Sequence, residues 1–451
     1  MHSVPWLSAY GRASQRPAPV AAMMAAFAAD FREGYDINLG VGYVDEDSVP
    51  RAQIAAALAA VLADPRRYRC CLNYGGARGS DNLRASLRRF HAGVLQDGVS
   101  KAQLAQRQIL IGASGATSLL ESLAQVMAPG IVLTADPQYY IYCHYLHRLG
   151  FRVLAVPEDE QGLSAEALRH RLRRLGSGRQ ALRFIYAVGV GNPTGTILSN
   201  PRRRELVRLA AALSHELRRP VPLVIDRAYD LLVHDPAVPQ PVSMVPEDEH
   251  GVVYEIGTLS KILAPALRIG YLVAPPGPLC DALAQRTSDI GFSAPLVNQE
   301  IASFLLDHHG RAQRDRVVAA YRRRALQVRA AIDRRLGPAV SEVRGGQAGF
   351  YFYLTLAQTA TAPGTPFYRY LARATGDPRV DAPGGRRGPR VAYLPGTLCT
   401  SRTGSLRAAG RRQLRISYGF EKARRIVRAL GFMQEAIEYA GRAGGDPAAA
   451  S

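Results

Sequence analysis

QILIGASGATSLLESLAQVMAPGIVLTAD, residues 108–136, is the stretch whose reading decides the fold. QILI is a short apolar run closed by the small-residue turn GASGAT, residues 112–117. TSLLESLAQVMA is amphipathic, and GIVLTAD is a second short apolar run. Strand, helix, strand is the building unit of a parallel sheet. The alternation continues through YIYCHYLHRLG, FRVLAVPED, SAEALRHRLRRL, LRFIYAVGV, PRRRELVRLAAALSHEL, VPLVID and VVYEIGTLS. Connections are short, as compact α/β units prefer. The pattern therefore predicts an α/β fold, a parallel sheet with helices on both faces.

After residue 295 the texture changes. The segment NQEIASFLLDHHGRAQRDRVVAAYRRRALQVRAAIDRRLG reads as one or two long amphipathic helices that link the sheet to a neighbouring unit. FYFYLTL, RVAYLPG and QLRISYGF are strand-like and lie among helical segments, which predicts a smaller α+β unit. Residues 359–412 hold Gly/Pro-rich and basic pieces, so part of that run is expected to be mobile loop. The end, GRAGGDPAAAS, is expected to be disordered. No internal repeat stands out.

Composition bounds the function classes. The chain has 451 residues, 47% hydrophobic and 21% charged, enough for two to three domains' worth of core at roughly 100–200 residues each. No apolar run approaches the ~20 residues of a membrane span, and MHSVPWLSAYGRASQRPAPV lacks the pattern of a signal peptide; a cytoplasmic protein is expected. Cys70, Cys71, Cys143, Cys280 and Cys399 are scattered, with no C-x-x-C, and read as buried thiols rather than a disulfide framework or a zinc site. The net charge of +20 invites a nucleic-acid reading. The arginines are spread along the chain, however, and no nucleic-acid-binding motif accompanies them, so an arginine-for-lysine habit is the preferred account.

That habit makes one residue stand out. Of 57 basic residues only Lys101, Lys261 and Lys422 are lysine. Lys261 follows the apparent strand VVYEI, in GTLSKILAPALRIGY, residues 257–271. A lysine amine can lose its proton and condense with an aldehyde, whereas a guanidinium stays protonated. Lys261 is therefore a candidate covalent anchor, while Lys101 and Lys422 read as solvated surface lysines.

Ligands of open parallel sheets bind at the carboxyl ends of the strands, and the residues there share one chemical theme. GASGAT opens a helix, where small residues and the helix dipole make a candidate phosphate cradle. The same loop, with Asp136 about 20 residues on, also fits a nicotinamide-dinucleotide unit, although it is not G-x-G-x-x-G. Asp226, in VIDRAYDLLV, is a carboxylate at a strand end that suits a protonated ring nitrogen, a metal or a helix cap. GNPTG, residues 191–195, reads in isolation as a turn. His144 and His147 beside Cys143 lack an evident third ligand, so no metal site is indicated. The His308–His309 pair reads as a solvated helix face. Neither G-x-S-x-G nor a P-loop is present.

Taken together, INLGVG (37–42), LNYGGARGSDNLR (72–84), GASGAT, DPQYY (136–140), GNPTG, VIDRAY (224–229), GTLSK with Arg268, and LRISYGF (414–420) are in the order of a known family. The chain resembles the class I/II, fold type I, aminotransferases that depend on pyridoxal 5'-phosphate (PLP). The resemblance implies a mostly parallel seven-stranded sheet flanked by helices and a smaller α+β domain. With the chain pattern it divides the sequence into an N-terminal arm and part of the small domain (1–45), a large domain (46–295), an interdomain helix (296–335), a small domain (336–442) and a tail (443–451).

The resemblance also implies roles. Lys261 would hold PLP as an aldimine and later carry a proton. Asp226 would pair with the ring nitrogen, Asn192 and Tyr229 would bond the ring 3-oxygen, and Tyr139 would stack on the ring. Gly115, Ala116, Thr258, Ser260 and Arg268 would surround the phosphate. Tyr74 would reach the phosphate of a neighbouring subunit, which implies a homodimer. Arg415 would pair with the substrate α-carboxylate, Asn192 would take part in substrate binding, and Gly42 would bring backbone close to that carboxylate. Departures from the family pattern are Ala266, where glycine is frequent, the long GGQAGFYF segment (345–352), and the run 360–412.

The expected activity is transfer of an amino group from an L-α-amino acid to a 2-oxo acid. The alternative within PLP chemistry is elimination, replacement or cyclisation on an amino acid. Another class is a PLP-binding regulator with a winged-helix head, for which the roughly 35 residues before INLGVG are too few.

Overall fold

A computed structural model describes residues 6–95, 97–381 and 388–444. An arm strand, β1 (Ile37–Asn38), precedes the strands of the predicted sheet: β2 (Gln108–Ile111), β3 (Ile131–Asp136), β4 (Arg152–Asp159), β5 (Gly162–Leu163), β6 (Leu182–Val188), β7 (Leu223–Asp226), β8 (Val253–Thr258) and β9 (Gly270–Ala274). Their spatial order is β2-β9-β8-β7-β6-β3-β4-β5. β8, β7, β6, β3 and β4 are mutually parallel, while β9 runs antiparallel between β2 and β8. Seven strands form the body of the sheet. The eighth, β5, has two residues and pairs antiparallel with the end of β4, too short a segment to show as a period in sequence.

Both faces of the sheet are buried because side chains alternate across a strand. Ile131, Leu133, Ile185 and Leu223 meet the helices Ala165–Leu175 and Asn200–Glu216 on one side. Val132, Phe184, Val224 and Ile256 meet the helices Gly115–Val126, Tyr140–Arg148 and Pro278–Asp289 on the other. Two-sided burial is why these strands read as continuous apolar runs.

The second sheet is antiparallel, in the order β10 (Val340–Gly345), β11 (Tyr351–Leu356), β14 (Gln413–Ser417), β13 (Leu394–Pro395). Between them in sequence, β12 (Val391–Ala392) pairs in parallel with β1, Ile37 lying opposite Val391. Asp36 fixes that junction by accepting from Arg32 at 2.8 Å and from the Arg390 guanidinium at 3.1 Å. The two-helix option resolves as one 40-residue helix, Leu296–Arg335, about 60 Å long at 1.5 Å per residue. No proline interrupts it, and Ile301, Leu305, Val317, Tyr321, Val328 and Ile332 keep an apolar stripe buried along it.

Three expectations change. The cysteines are free but not uniformly buried: Cys70 is exposed and Cys71 half-buried, because both lie in the turn after the helix Arg51–Ala63 rather than in a packed element. Lys422 is not simply solvated, since its Nζ donates to Asp45 at 2.8 Å and also to Asp47. The run 360–412 carries short helices at Pro366–Ala372, Pro378–Asp381 and Arg407–Gly410 as well as β12 and β13. Residues 382–387 of that run, and the tail from 445, lie outside the described residues. No helix among the described residues is long and apolar enough to cross a membrane.

Candidate active site

The carboxyl ends of the parallel strands converge on one cavity of about 140 Å³. Asp226 is the last residue of β7, Thr258 the last of β8, and Asn192 follows β6. Tyr139 comes from the loop after β3, and Ala116 and Thr117 come from the first turn of the helix Gly115–Val126. With Tyr229, Ser260, Lys261 and Arg268 they line the space. Strand ends supply these groups because parallel strands all point their exposed termini the same way.

One end of the cavity is rich in donors. Gly115 has φ +68°, a left-handed turn that aims the helix N-terminus inward. A Cβ at Gly270, the first residue of β9, would overlap the backbone of Gly115 and Ala116, so a glycine there lets strand and helix touch. Arg268 also adopts a positive φ, +56°, and crosses to the cradle. Its Nε donates to Ser114 Oγ at 3.1 Å and its Nη2 to Ser114 O at 2.9 Å. Thr258 Oγ1 and Ser260 Oγ lie 2.9 Å apart beside it. Backbone amides at a helix N-terminus, two hydroxyls and a guanidinium together form an anion site.

The other end is acidic. Asp226 accepts from Tyr186 Oη at 2.8 Å and from the Ala228 amide at 3.0 Å. Burial pushes its carboxyl up to about 6. Between the two ends stands Lys261, whose Nζ donates to Gly42 O at 3.3 Å and lies 5.4 Å from the Tyr229 ring centre and 5.5 Å from that of Phe350. Burial first, then the Arg268 charge, lowers the amine from 10.5 to about 8. About a tenth of the amine is therefore neutral at pH 7, against well under a thousandth for an ordinary lysine, and the neutral form is the one that attacks a carbonyl.

Arg415, in β14, closes the site from the small sheet. It is buried, 1% exposed, and donates to Asn192 Oδ1 at 2.6 Å and to Gly40 O at 2.5 Å, with the Tyr351 ring 4.3 Å from its guanidinium carbon. Its Nε has no partner, and its electrostatic neighbours are Tyr351, Tyr140, Cys399 and Tyr229, none of them a carboxylate. A buried cation without a counter-ion is an anion receptor.

The structure thus brings together Gly42, Gly115, Ala116, Tyr139, Asn192, Asp226, Tyr229, Thr258, Ser260, Lys261, Arg268 and Arg415. It leaves Tyr74 outside the cavity, 83% exposed and packed near Phe292. Asp136, which the dinucleotide alternative set beside GASGAT, accepts from the Ser401 amide at 2.9 Å. Among the described residues no group of three or more His, Cys, Asp or Glu side chains is arranged to hold a metal ion. Sequence reasoning missed Tyr186, Tyr351 and Tyr140. Tyr186 was signalled only by a hydroxyl inside an otherwise apolar strand, and Tyr351 had no local signal because its role depends on Tyr229 Oη 2.8 Å away across the two sheets.

Beneath the site lies an ionic network that fixes the loop carrying Asp226 and Tyr229. Arg227 donates to Asp97, Asp230 and Glu255 at 2.6–2.9 Å, and Arg203 donates to Asp230 at 2.9 and 3.1 Å. His91 bridges Asp97 at 2.7 Å and Tyr271 Oη at 2.8 Å. Against burial, the Arg227 charge lowers Asp97, and the charges of Arg203 and then Arg227 lower Asp230. Such clusters are retained for geometry more than for net stability.

A parallel sheet that presents a depressed lysine between an acid and an anion cradle defines a lysine-centred α/β enzyme. Residues 36–374 match the family model of aminotransferase class I and II, and the chain belongs to that family. It is 27% identical over 393 residues to the 2-aminoadipate transaminase of Thermus thermophilus, covering 84% of this chain and 86% of that protein. It is 28% identical over 251 residues to the HTH-type transcriptional regulator YisV of Bacillus subtilis, covering 55% of this chain and 47% of the regulator. The chain thus spans about half the length of that regulator. The multiple substrate aminotransferase of Thermococcus profundus superimposes with a TM-score of 0.81 at 19% identity, covering 97% of this chain and 98% of that one. An archaeal alanine:glyoxylate aminotransferase gives 0.79 at 23% identity, covering 98% and 100%. At these identities the likeness of structure speaks for the fold.

Proposed function

We propose that the protein is a PLP-dependent transaminase that moves the amino group of an L-α-amino acid to a 2-oxo acid. The observation that carries this reading is the depressed Lys261 amine held between the Asp226 carboxylate and the Arg268 cradle. The cofactor fits what is present: an anion site for a phosphate, a buried acid for a ring N–H, an amine for an aldehyde, and the Tyr139 ring as a wall.

When bound, PLP supplies an aldehyde that condenses with amines and a protonated ring that accepts the electron pair left by an α-proton. The chain supplies the rest. Arg268, Thr258, Ser260 and the first amides of the helix Gly115–Val126 bind the phosphate and fix its orientation. Asp226 keeps a proton at the ring nitrogen, and Tyr186 and the Ala228 amide hold the carboxylate in place. Asn192 and Tyr229, which line the cavity with Lys261, would bond the ring oxygen. Arg415 takes the substrate α-carboxylate as a planar fork, orienting the α-carbon toward Lys261. Lys261 Nζ would be the base that takes the substrate α-proton and carries it within the site. Tyr139 lines the cavity, and the buried Phe350 and Tyr351 rings pack against Tyr229 beside it.

We also propose that two copies share their sites. Tyr74, Leu72, Leu62 and Ile290 are exposed side chains, and a second copy would cover them and bring Tyr74 to the other phosphate.

The test uses stoichiometric enzyme and a panel of amino acids with no oxo-acid acceptor. Conversion of the bound cofactor to its amine form, with one equivalent of 2-oxo acid released, is expected. Return of unaltered PLP with an eliminated or cyclised product would overturn the transaminase reading. Borohydride followed by peptide mapping should place the pyridoxyl group on Lys261.

A further inference from the structure

We infer that the preferred amino donor carries an apolar side chain, seated on Met23, Met24, Tyr140 and Leu398, and that a second carboxylate is disfavoured. The inference rests on the transaminase reading above, and it concerns the substrate group that this reading leaves open.

With its α-carboxylate on Arg415 and its amine toward Lys261, an amino acid has one remaining substituent. Its proposed seat is the small-sheet flank of Arg415, beyond the residues that line the cavity around Lys261. That flank is a small apolar cluster separate from the main cores: Val20, Tyr140, Leu394 and Cys399 are buried, with Met23, Met24 and Leu398 packed on them. Four members of the cluster adjoin Arg415 or the backbone oxygen it binds. Leu394 lies directly opposite Arg415 in the β13–β14 ladder. Met24 Sδ lies 3.3 Å from where a Cβ on Gly40 would stand, and Gly40 O is itself a partner of Arg415. Tyr140 and Cys399 are electrostatic neighbours of the guanidinium.

The helix that carries the two methionines, PVAAMMAAFA (Pro19–Ala28), contains no charged residue in a chain that is 21% charged. Cations of the adjoining elements are already committed. Arg32 and Arg390 bind Asp36, and Arg344 binds Glu158 and Glu342. Burial lowers the proton affinity of His144 and His147, and the charge of the exposed Arg402 lowers it further. A distal carboxylate on this flank would lose its water and gain no partner. An apolar group gains contact, and thioethers adapt to several shapes. Apolar pockets separate substrates by roughly 10- to 200-fold per methylene.

The experiment follows the first half-reaction of the holoenzyme with leucine, norleucine and phenylalanine against glutamate and 2-aminoadipate. Specificity constants at least tenfold higher for the apolar set are expected. Equal or better conversion of the dicarboxylic set overturns the inference, and loss of that conversion in Arg402→Ala would name the residue responsible. Calorimetric titration of unreactive hexanoate and adipate reads the same flank without chemistry. Tighter binding of hexanoate supports the inference and tighter binding of adipate overturns it, even if no amino acid is converted, an outcome that sinks only the transaminase reading. In Met24→Arg the ratio of 2-aminoadipate to leucine should rise at least tenfold; an unchanged ratio in the folded, cofactor-loaded variant counts against the proposal.

Discussion

Lys261 carries a thermodynamic burden that its function explains. Burial and the neighbouring Arg268 lower its amine from 10.5 to about 8, so the folded protein releases the proton more readily than the unfolded chain. The sign follows from linkage: stability is fully present above pH 10.5 and is lost as pH falls through 8. At about 1.4 kcal/mol per pK unit, the native amine destabilises the fold by roughly 3 kcal/mol at pH 7. Lys261→Met is expected to raise the melting temperature of protein with no added cofactor at pH 7, with the gain shrinking toward pH 10; calorimetry at the two pH values checks it. The lysine was legible because a chain that writes its cations as arginine has kept few lysines. Tyr186 and Tyr351 were not legible, since each acts through a partner set by tertiary contact, Asp226 and Tyr229 respectively.

At the scale of elements, the approach of β9 to the helix Gly115–Val126 sets the anion cradle. Gly270→Ala would drive a methyl into the Gly115–Ala116 backbone, and backbone cannot move aside as a side chain can. Overpacking of this kind costs about 1–3 kcal/mol. The expected result is a lower melting temperature together with weaker PLP binding, measured by equilibrium titration of the cofactor. The parallel strands and their helices were readable from the period of apolar residues, because two-sided burial leaves mainly apolar runs in β6, β7 and β8, interrupted by Arg183 in β6 and Glu255 in β8. β5, of two residues, was hidden in the pattern, whereas the strand-like run RVAYLPG was legible and only its division into β12, which pairs with β1, and β13, which pairs with β14, was not. The register that sets Leu394 against Arg415 was invisible for another reason: an antiparallel pairing across 21 positions leaves no local trace.

For the whole molecule, assembly is the consequential question. If Tyr74 serves the neighbouring site, Tyr74→Ala and Lys261→Ala are each inactive alone. Refolded together they should regain activity, because a hybrid pair contains one site with both residues intact; steady-state assay of the mixture decides, and no recovery would assign Tyr74 to its own chain. Charge was the least informative global reading. Many arginines are taken up in local ion pairs such as Arg203–Asp230 and Arg107–Asp248, and the +20 is the excess of 57 basic over 37 acidic residues along the chain. The pairing of β1 with β12 bears on how the chain is made. Val391 follows Ile37 by 354 positions, which at 5–20 residues per second is roughly 20–70 s of synthesis. The earliest-translated strand therefore waits for one of the last. Docking of the amino-terminal arm becomes a closing event of biogenesis, and everything between must hold its shape on the ribosome before the ends are joined.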